Sequence, residues 1–210
     1  MKFLKFPAAV LMALFVAGGI RSNQVERTAA AIRTPAGAIL VWNQADNYFT
    51  LDISGKDVLP NNSTDDVVFK VDGLLLQIQA AAFSEIFKES SAKGKTAEAI
   101  LLAHKDWEAE YAAGVFGKKL NVQMSPLKLK NGNDALLWSY DMPADVKADA
   151  KKQVFLTTIH NEFVVVLNSA VTDMTKEEEI KQLLTKTLET MKVSPKPFDV
   201  EKLRDAVVKP

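Results

Sequence analysis

The chain has 210 residues, and its 26 Lys plus Arg balance its 26 Asp plus Glu, so the formal net charge is zero. A hydrophobic content of 48% and a charged content of 25% are typical of a soluble globular domain and exclude disordered, collagen-like and multi-span membrane chains. The absence of cysteine excludes disulfides, iron–sulfur clusters, thiolate zinc sites and cysteine nucleophiles, and the balanced charge gives no reason to expect nucleic acid as a partner.

The N-terminal segment, residues 1–22, is typical of a secretory signal peptide. Lys2 and Lys5 form a basic start, and an apolar run follows over residues 6–20. A helix of that length spans about 22 Å, less than the roughly 30 Å hydrocarbon core of a bilayer. An uncleaved anchor is the alternative, because Arg21 follows the run directly. We therefore expect an exported protein, periplasmic or extracellular, whose membrane contact is limited to this segment.

Residues 23–36 are rich in alanine and include Pro35. We expect a flexible arm or a helical turn there. A single folded domain is expected to follow over residues 37–193.

Strand-like patterns dominate the start of this domain. Two alternating runs flank Asp72 and Gly73, the pair favoured at the centre of a tight hairpin turn. The apolar residues of the two runs are Val67, Phe69 and Val71 before the turn and Leu74, Leu76 and Ile78 after it. This spacing predicts a β-hairpin.

A second series of strands follows the first helix. Asn131 and Gly132 predict another hairpin turn, and the connection at residues 160–162 is short enough to hold two further strands antiparallel. Pro126 interrupts one of the alternating runs. Because proline cannot donate to a β-ladder, we expect this strand at a sheet edge or at a bulge.

Apolar spacing predicts two long helices. The first extends from Thr96 to about Ala113, and its charged residues, Glu108 among them, are expected mostly off the apolar stripe. The second begins at a capping box, in which Thr175 and Glu178 each satisfy the other residue's backbone N–H group. Because each helix has one apolar side, each should pack on a sheet.

Residues 194–210 form a proline-containing C-terminal tail. Residues 194–197 predict a stiff spacer, and Asp199 can cap a short helix after it. We expect this tail either to fold back over the sheet or to dock on another protein.

These elements predict an α+β domain. Short hairpins and few crossovers indicate an antiparallel sheet of about six to eight strands, with helices packed on its faces. One helix interrupts the strands and the other closes the domain.

The residues carry no complete catalytic or metal-binding pattern. His104 lies within the apolar arc of the first helix, with Glu108 one turn later, and His160 lies at a predicted hairpin tip. Two histidines alone are fewer than the three or four ligands that zinc usually takes. The oxygen-rich stretch of residues 60–66 lacks the glycine and glutamate of an EF-hand loop. We therefore expect no catalytic residues, no metal and no cofactor.

Aromatic residues supply the only candidates for ligand binding. A cleft between the sheet and the first helix would be lined by His104, Trp107, Trp138 and Tyr140. Packing of these side chains in the core is the competing interpretation.

The order of elements resembles the PsbP-like fold. The resemblance rests on residues 47–51, residues 72–78, residues 152–155 and residues 163–166. This fold is shared by a photosystem II accessory protein, a Ran-binding import factor and secreted bacterial proteins of unassigned role. The resemblance implies an α/β/α sandwich with an accessory or binding role and offers no functional motif to transfer.

We expect, from these observations together, a secreted or periplasmic accessory protein that binds a protein partner and is not an enzyme. The alternative is a carrier of a small molecule or lipid, bound between the sheet and the first helix. An enzyme would require His104 and His160 to meet a carboxylate in one pocket.

Overall fold

The computed structural model describes residues 29–44, 46–61, 67–87, 92, 94–146 and 148–208. The predicted signal segment and most of the oxygen-rich stretch lie outside these ranges. The strands within them are β1 (Ala29–Thr34), β2 (Gly37–Gln44), β3 (Asn47–Ser54), β4 (Val58–Asn61), β5 (Val67–Val71), β6 (Leu74–Ala82), β7 (Val122–Lys128), β8 (Asp134–Asp141), β9 (Ala150–His160), β10 (Phe163–Thr172) and β11 (Lys192–Val193). The helices are α1 (Phe83–Ile86), α2 (Ala97–Phe116), α3 (Glu177–Glu189) and α4 (Val200–Val208).

The described strands form two antiparallel sheets. The larger has seven strands in the order β4-β5-β6-β10-β9-β8-β7, and the smaller has four in the order β1-β2-β3-β11. The predicted α+β architecture is confirmed, and the larger sheet has the predicted number of strands. The first strands form a separate small sheet, because β3 pairs with β2 and β11 and not with β4.

The hairpin predicted at Asp72 and Gly73 joins β5 to β6. Both residues have positive φ angles, 49° and 90°, as the two central residues of a type I′ turn require. The predicted turn at Asn131 and Gly132 joins β7 to β8 within a longer loop, in which Gly132 has a φ of 87°. Both hairpin predictions are therefore confirmed.

Prolines mark both edges of the seven-stranded sheet. Pro126 lies on β7, at one end of the strand order, as predicted for a residue that cannot donate to a ladder. Pro60 lies on β4, at the other end.

Helix α2 covers one face of the seven-stranded sheet, over β8 and β9. It starts where predicted, with the Thr96 hydroxyl accepting a hydrogen bond from the Ala99 amide at 3.2 Å, and ends at Gly117, whose φ is 64°. The side chains of Leu136, Trp138 and Tyr140 point up toward this helix. Among the described helices, none combines the length and hydropathy needed to cross a bilayer.

The opposite face of the large sheet carries two elements side by side, the small sheet and helix α3. The apolar side of α3, with Ile180, Leu184 and Leu188 fully buried, packs over β9, β10 and β3. These residues share one core with the inner face of the small sheet, which includes Leu40 and Phe49. The predicted layering, with each long helix on a sheet face, is therefore confirmed.

The predicted capping box of α3 is not formed. Lys176 is the N-cap residue, and no side chain caps this helix end. The Thr175 hydroxyl instead accepts a hydrogen bond from the Thr172 amide at 2.8 Å, in the turn that follows β10. Because that hydroxyl turns back toward the strand, the helix begins two residues after Thr175.

Part of the predicted flexible arm is a strand. Residues 29–34 form β1 and pair with β2 over their whole length, while residues 23–28 lie outside the described ranges. Ile32 is buried, so this edge strand contributes an apolar side chain to the packing. The alanine-rich sequence did not indicate this contribution. The arm prediction does not hold for this part of the segment.

The C-terminal tail folds back over the small sheet, one of the two predicted outcomes. Helix α4 packs against β1, on the side where Ile32 and Val41 are buried. The Asn43 side chain holds the tail by donating to the Phe198 carbonyl and accepting from the Phe198 amide, each at 2.8 Å. The Asp199 carboxylate accepts from the Lys202 amide at 3.1 Å, so Asp199 caps the helix as predicted.

Candidate functional site

Two of the predicted ligand-binding residues lie on helix α2 and two on strand β8 below it. His104 is buried in the middle of the helix, and Trp138 and Tyr140 are buried on β8 below it. Trp107 is only partly buried, and its ring centroid lies 6.1 Å from that of His104. The four residues thus form two neighbouring pairs, His104 with Trp107 on α2 and Trp138 with Tyr140 on β8.

A packed aromatic layer fills the space under the helix. The rings of Trp138 and Phe155 are stacked, with centroids 3.9 Å apart and planes inclined by 4°. Tyr140 lies 5.8 Å from Phe155 between ring centroids. Phe155 was not predicted as part of this layer, because only the β8–β9 register places it directly opposite Trp138. The aromatic side chains are engaged with one another in the described structure.

His104 and Glu108 form a buried pair on the inner side of α2. His104 is 0% exposed and Glu108 is 7% exposed, and the Nε2 and Oε1 atoms lie 3.8 Å apart. Neither imidazole nitrogen has a hydrogen-bond partner among the described residues. The expectation that Glu108 lies off the apolar stripe was wrong, because residues 100, 104, 108 and 112 share one face of the helix at four-residue spacing.

Burial sets the ionisation of this pair. It lowers the pKa of His104 to about 3 and raises the pKa of Glu108 to about 7, because charge is disfavoured away from water. Burial and the nearby Glu108 also raise the pKa of Tyr140. In mildly acidic solution the imidazole and the carboxyl group are therefore both uncharged.

The second histidine lies on the other face of the large sheet. His160 ends β9, and its ring centroid is 6.4 Å from that of Phe49 in the small sheet. Burial lowers the pKa of His160, while a hydrogen bond with the Tyr48 backbone opposes this shift. The two histidines do not converge on one pocket. Within the described ranges, no three side chains are grouped as metal ligands.

An open cleft lies one turn from the aromatic layer, between the first turn of α2 and the β7–β8 hairpin. Its volume is about 340 Å³. We call it the α2 cleft; its lining includes Ala97, Glu98, Leu101, Pro126, Asp134 and Leu136. None of the four predicted ligand-binding residues lines it. Sequence patterns did not indicate it because its walls are distant in sequence.

A smaller cleft of about 170 Å³ lies on the opposite face, between β7–β8 and the start of α3. We call it the α3 cleft; its lining includes Gln123, Met124, Ser125, Glu177 and Lys181 and, of the four predicted ligand-binding residues, Trp138. The Glu177 carboxylate accepts from Lys152 at 2.7 Å and contacts the Lys181 ammonium at 2.9 Å. These two hydrogen bonds lower the pKa of Glu177, so the charges of this cleft are already paired.

Strand β7 separates the two clefts and is the exposed edge of the sheet. Met124, on the same side of the strand as Pro126, is 55% exposed. The α2 cleft borders Pro126, whereas the α3 cleft borders Gln123, Met124 and Ser125. The exposed Met124 therefore borders the α3 cleft, and β7 reaches the α2 cleft two residues later, at Pro126.

Comparisons with known proteins find similarity among solved structures. The sequence matches no protein-family model and none of the curated proteins. The solution structure of cyanobacterial PsbP from Synechocystis sp. PCC 6803 is similar, with a TM-score of 0.46 and 10% sequence identity, over 84% of this chain and 100% of that chain. The likeness concerns the layout of the elements and agrees with the PsbP-like arrangement predicted from the sequence.

Proposed function

We propose that the protein is an exported, non-catalytic accessory protein that binds a protein partner through β7 and the α2 cleft. The observation that carries this proposal is the exposed Met124 on β7, the edge strand that borders the α3 cleft at Met124 itself and the α2 cleft at residues 126 and 127. Exposed apolar surface beside a cavity favours association, because a partner can bury the surface and insert an anchoring side chain into the cavity.

The non-catalytic role is supported by the state of the two histidines. His104 is enclosed by α2 and the aromatic layer, and His160 lies across the sheet against Phe49. A general base must reach its substrate within hydrogen-bonding distance. Neither imidazole shares a pocket with the other.

The exported location is supported by the sequence of residues 1–22, with its basic start and apolar run. The absence of cysteine is compatible with either side of a membrane, so the location depends on this segment alone. Fractionation of cells that produce the full chain tests it. Accumulation of the protein in the cytosolic fraction would contradict export.

Site-specific photocrosslinking tests the binding surface. The photoreactive residue p-benzoylphenylalanine replaces Met124, and a matched protein carries it at Met174, which is 91% exposed in the turn before α3. We expect a discrete crosslinked protein from position 124 in native envelopes and none from position 174. Equal crosslinking from both positions, or none from position 124, would contradict the proposed surface.

A carrier of a small molecule or lipid is the second candidate. The volume of the α2 cleft favours it, because small-molecule sites are typically about 300–1,000 Å³. Native mass spectrometry of protein purified from its source should then show an additional bound mass. The Ala97→Trp substitution places a large side chain in the cleft and should remove that mass, whereas the same substitution at the exposed Ala206 should not.

A further inference from the structure

The backbone of β7 directs its hydrogen-bonding groups alternately toward β8 and toward the free edge of the sheet. The Leu129 amide donates to the Asn133 carbonyl at 3.0 Å, in continuation of the β7–β8 register. In an antiparallel ladder, bonded pairs alternate with pairs whose N–H and C=O groups point away from each other. Counting back from Leu129, the odd-numbered residues of β7 are therefore bonded to β8, and the even-numbered residues point to the free edge.

The other side of β8 gives the same assignment. The Met142 amide donates to the Lys151 carbonyl at 2.8 Å, in continuation of the β8–β9 register. The even-numbered residues of β8 are therefore bonded to β9, and its odd-numbered residues are bonded to β7. Pro126 lies opposite Leu136, so the N–H group that proline lacks is missing from the free edge and not from the ladder.

The two edges of the seven-stranded sheet differ in the donors that they leave free. Pro60 on β4 also points outward, because the Asp72 amide donates to the Asp57 carbonyl in the β4–β5 register. Strand β4 therefore has one outward N–H group, at Val58. Strand β7 has three such groups, at Val122, Met124 and Lys128.

The side chains of β7 alternate between the two clefts. Pro126 shares the sheet face of Leu136 and borders the α2 cleft, whereas Ser125 lies opposite Leu137 and borders the α3 cleft. A strand added to the free edge would lie about 4.8 Å from β7, with its side chains in the same alternation. The residue opposite Pro126 would therefore extend its side chain toward the α2 cleft.

The α2 cleft is acidic. Among the described residues, its lining includes the carboxylates of Glu98 and Asp134 and no lysine or arginine. Asp134 is paired with Lys128 at 2.8 Å, whereas no cation in the described ranges forms an ion pair with Glu98. A long basic side chain complements this lining, because its aliphatic part can pack on Leu101 and Leu136 while its charged end reaches Glu98.

We propose that the partner adds an extended segment to the free edge of β7, as an eighth strand of the large sheet, and inserts an arginine or lysine side chain into the α2 cleft. This inference rests on the proposed function, because it specifies how the partner occupies β7 and the cleft. Backbone hydrogen bonds to Val122 and Met124 supply affinity, and the basic side chain sets the register.

A second copy of this chain is a poorer occupant than a different protein. A two-fold antiparallel pairing about Met124 would place the Pro126 of each copy opposite Val122 of the other. Because proline has no N–H group, one hydrogen bond would be lost at each of these two positions.

Photocrosslinking from Ser125 in native envelopes tests the strand pairing. The protein carries p-benzoylphenylalanine at this exposed position, and substitutions are made at the neighbouring Met124. Met124→Pro removes an outward N–H group but no bond to β8, whereas Met124→Val keeps the N–H group and changes only the side chain. We expect the crosslink yield to fall about fivefold or more with Met124→Pro, and by a smaller factor with Met124→Val.

The outcomes separate this inference from the proposed function. Equal losses in the two variants would overturn the strand pairing but not the proposed surface, because the Met124 side chain would then carry the contact. A yield unchanged by Met124→Pro would also overturn the pairing. The absence of any crosslink from the parent protein would overturn the proposed function and this inference together.

The basic side chain is tested by Glu98→Gln, with Glu110→Gln on the exposed side of the same helix as the matched control. The crosslink yield should fall about fivefold in Glu98→Gln and stay unchanged in Glu110→Gln. Equal yields in these two variants would overturn the insertion of a basic side chain into the cleft.

Amide hydrogen exchange of the unbound protein, resolved by residue with NMR, tests the edge if a variant fails to fold. The Val122 and Met124 amides point to solvent and should exchange faster than the Gln123 and Ser125 amides, which donate to β8. The reverse order would overturn the inference.

Discussion

The Asn43→Ala substitution should release the C-terminal tail. It removes the two 2.8 Å hydrogen bonds that join the Asn43 side chain to the Phe198 backbone. At about 1 kcal/mol for each bond, the tail should lose about 2 kcal/mol of its docking free energy. The loss should be local, because α4 contacts β1 and the seven-stranded sheet lies beyond the small sheet.

Hydrogen exchange measured by mass spectrometry tests this expectation. The amides of residues 198–208 should exchange about thirtyfold faster in the variant, which is the factor that 2 kcal/mol represents. Peptides from β1 and β2 should follow, because Ile32 and Val41 lose their cover. Asn131→Ala is the matched control, since the Asn131 side chain donates to the Leu188 carbonyl at 3.1 Å, away from the tail. Unchanged exchange of α4 in Asn43→Ala would refute the assignment of the tail anchor to this side chain.

Three further substitutions test the core and the sheet edge. Trp138→Ala removes the ring stacked on Phe155 and should lower the free energy of unfolding by about 3–5 kcal/mol in urea titrations; a loss below 1 kcal/mol would mean that the aromatic layer contributes little. Gln153→Leu leaves the Asn168 side chain without its 2.8 Å partner and should cost about 1–3 kcal/mol by the same measurement, which an unchanged midpoint would contradict. Pro126→Thr restores an N–H group on the sheet edge and should produce concentration-dependent association in analytical ultracentrifugation; a strictly monomeric variant would argue against proline as the edge's protection.

Local sequence signals predicted the elements better than their assembly. Asp72 and Gly73 identified a hairpin because the turn itself requires positive φ angles at both residues. Pro126 identified an edge strand because proline has no N–H group to donate to a neighbouring strand, and this holds wherever the strand lies in the fold. In both cases the physical cause lies within a few residues.

The misassigned features depend on pairing and packing that the sequence patterns do not signal, whether the partner is near or distant in sequence. Residues 29–34 became a strand because β2 pairs with them, and their alanines carry no strand signal of their own. The Thr175 hydroxyl accepts a hydrogen bond from the Thr172 amide and therefore does not cap the helix. The aromatic layer was predicted in part, but the burial of Glu108 and the position of the α2 cleft follow from how α2 lies on β8 and β9.

The strand order also determines when, during synthesis of the chain, the core of the large sheet can form. Strand β10 lies between β6 and β9 and joins two groups of strands that are each contiguous in sequence. It is synthesised after both groups, so the central pairings of the large sheet must wait for residues 163–172. A nascent chain that ends before β10 holds two unconnected halves, each with one apolar face. The seven-stranded sheet therefore gains its central strand last, after the helix that covers β8 and β9 has been made.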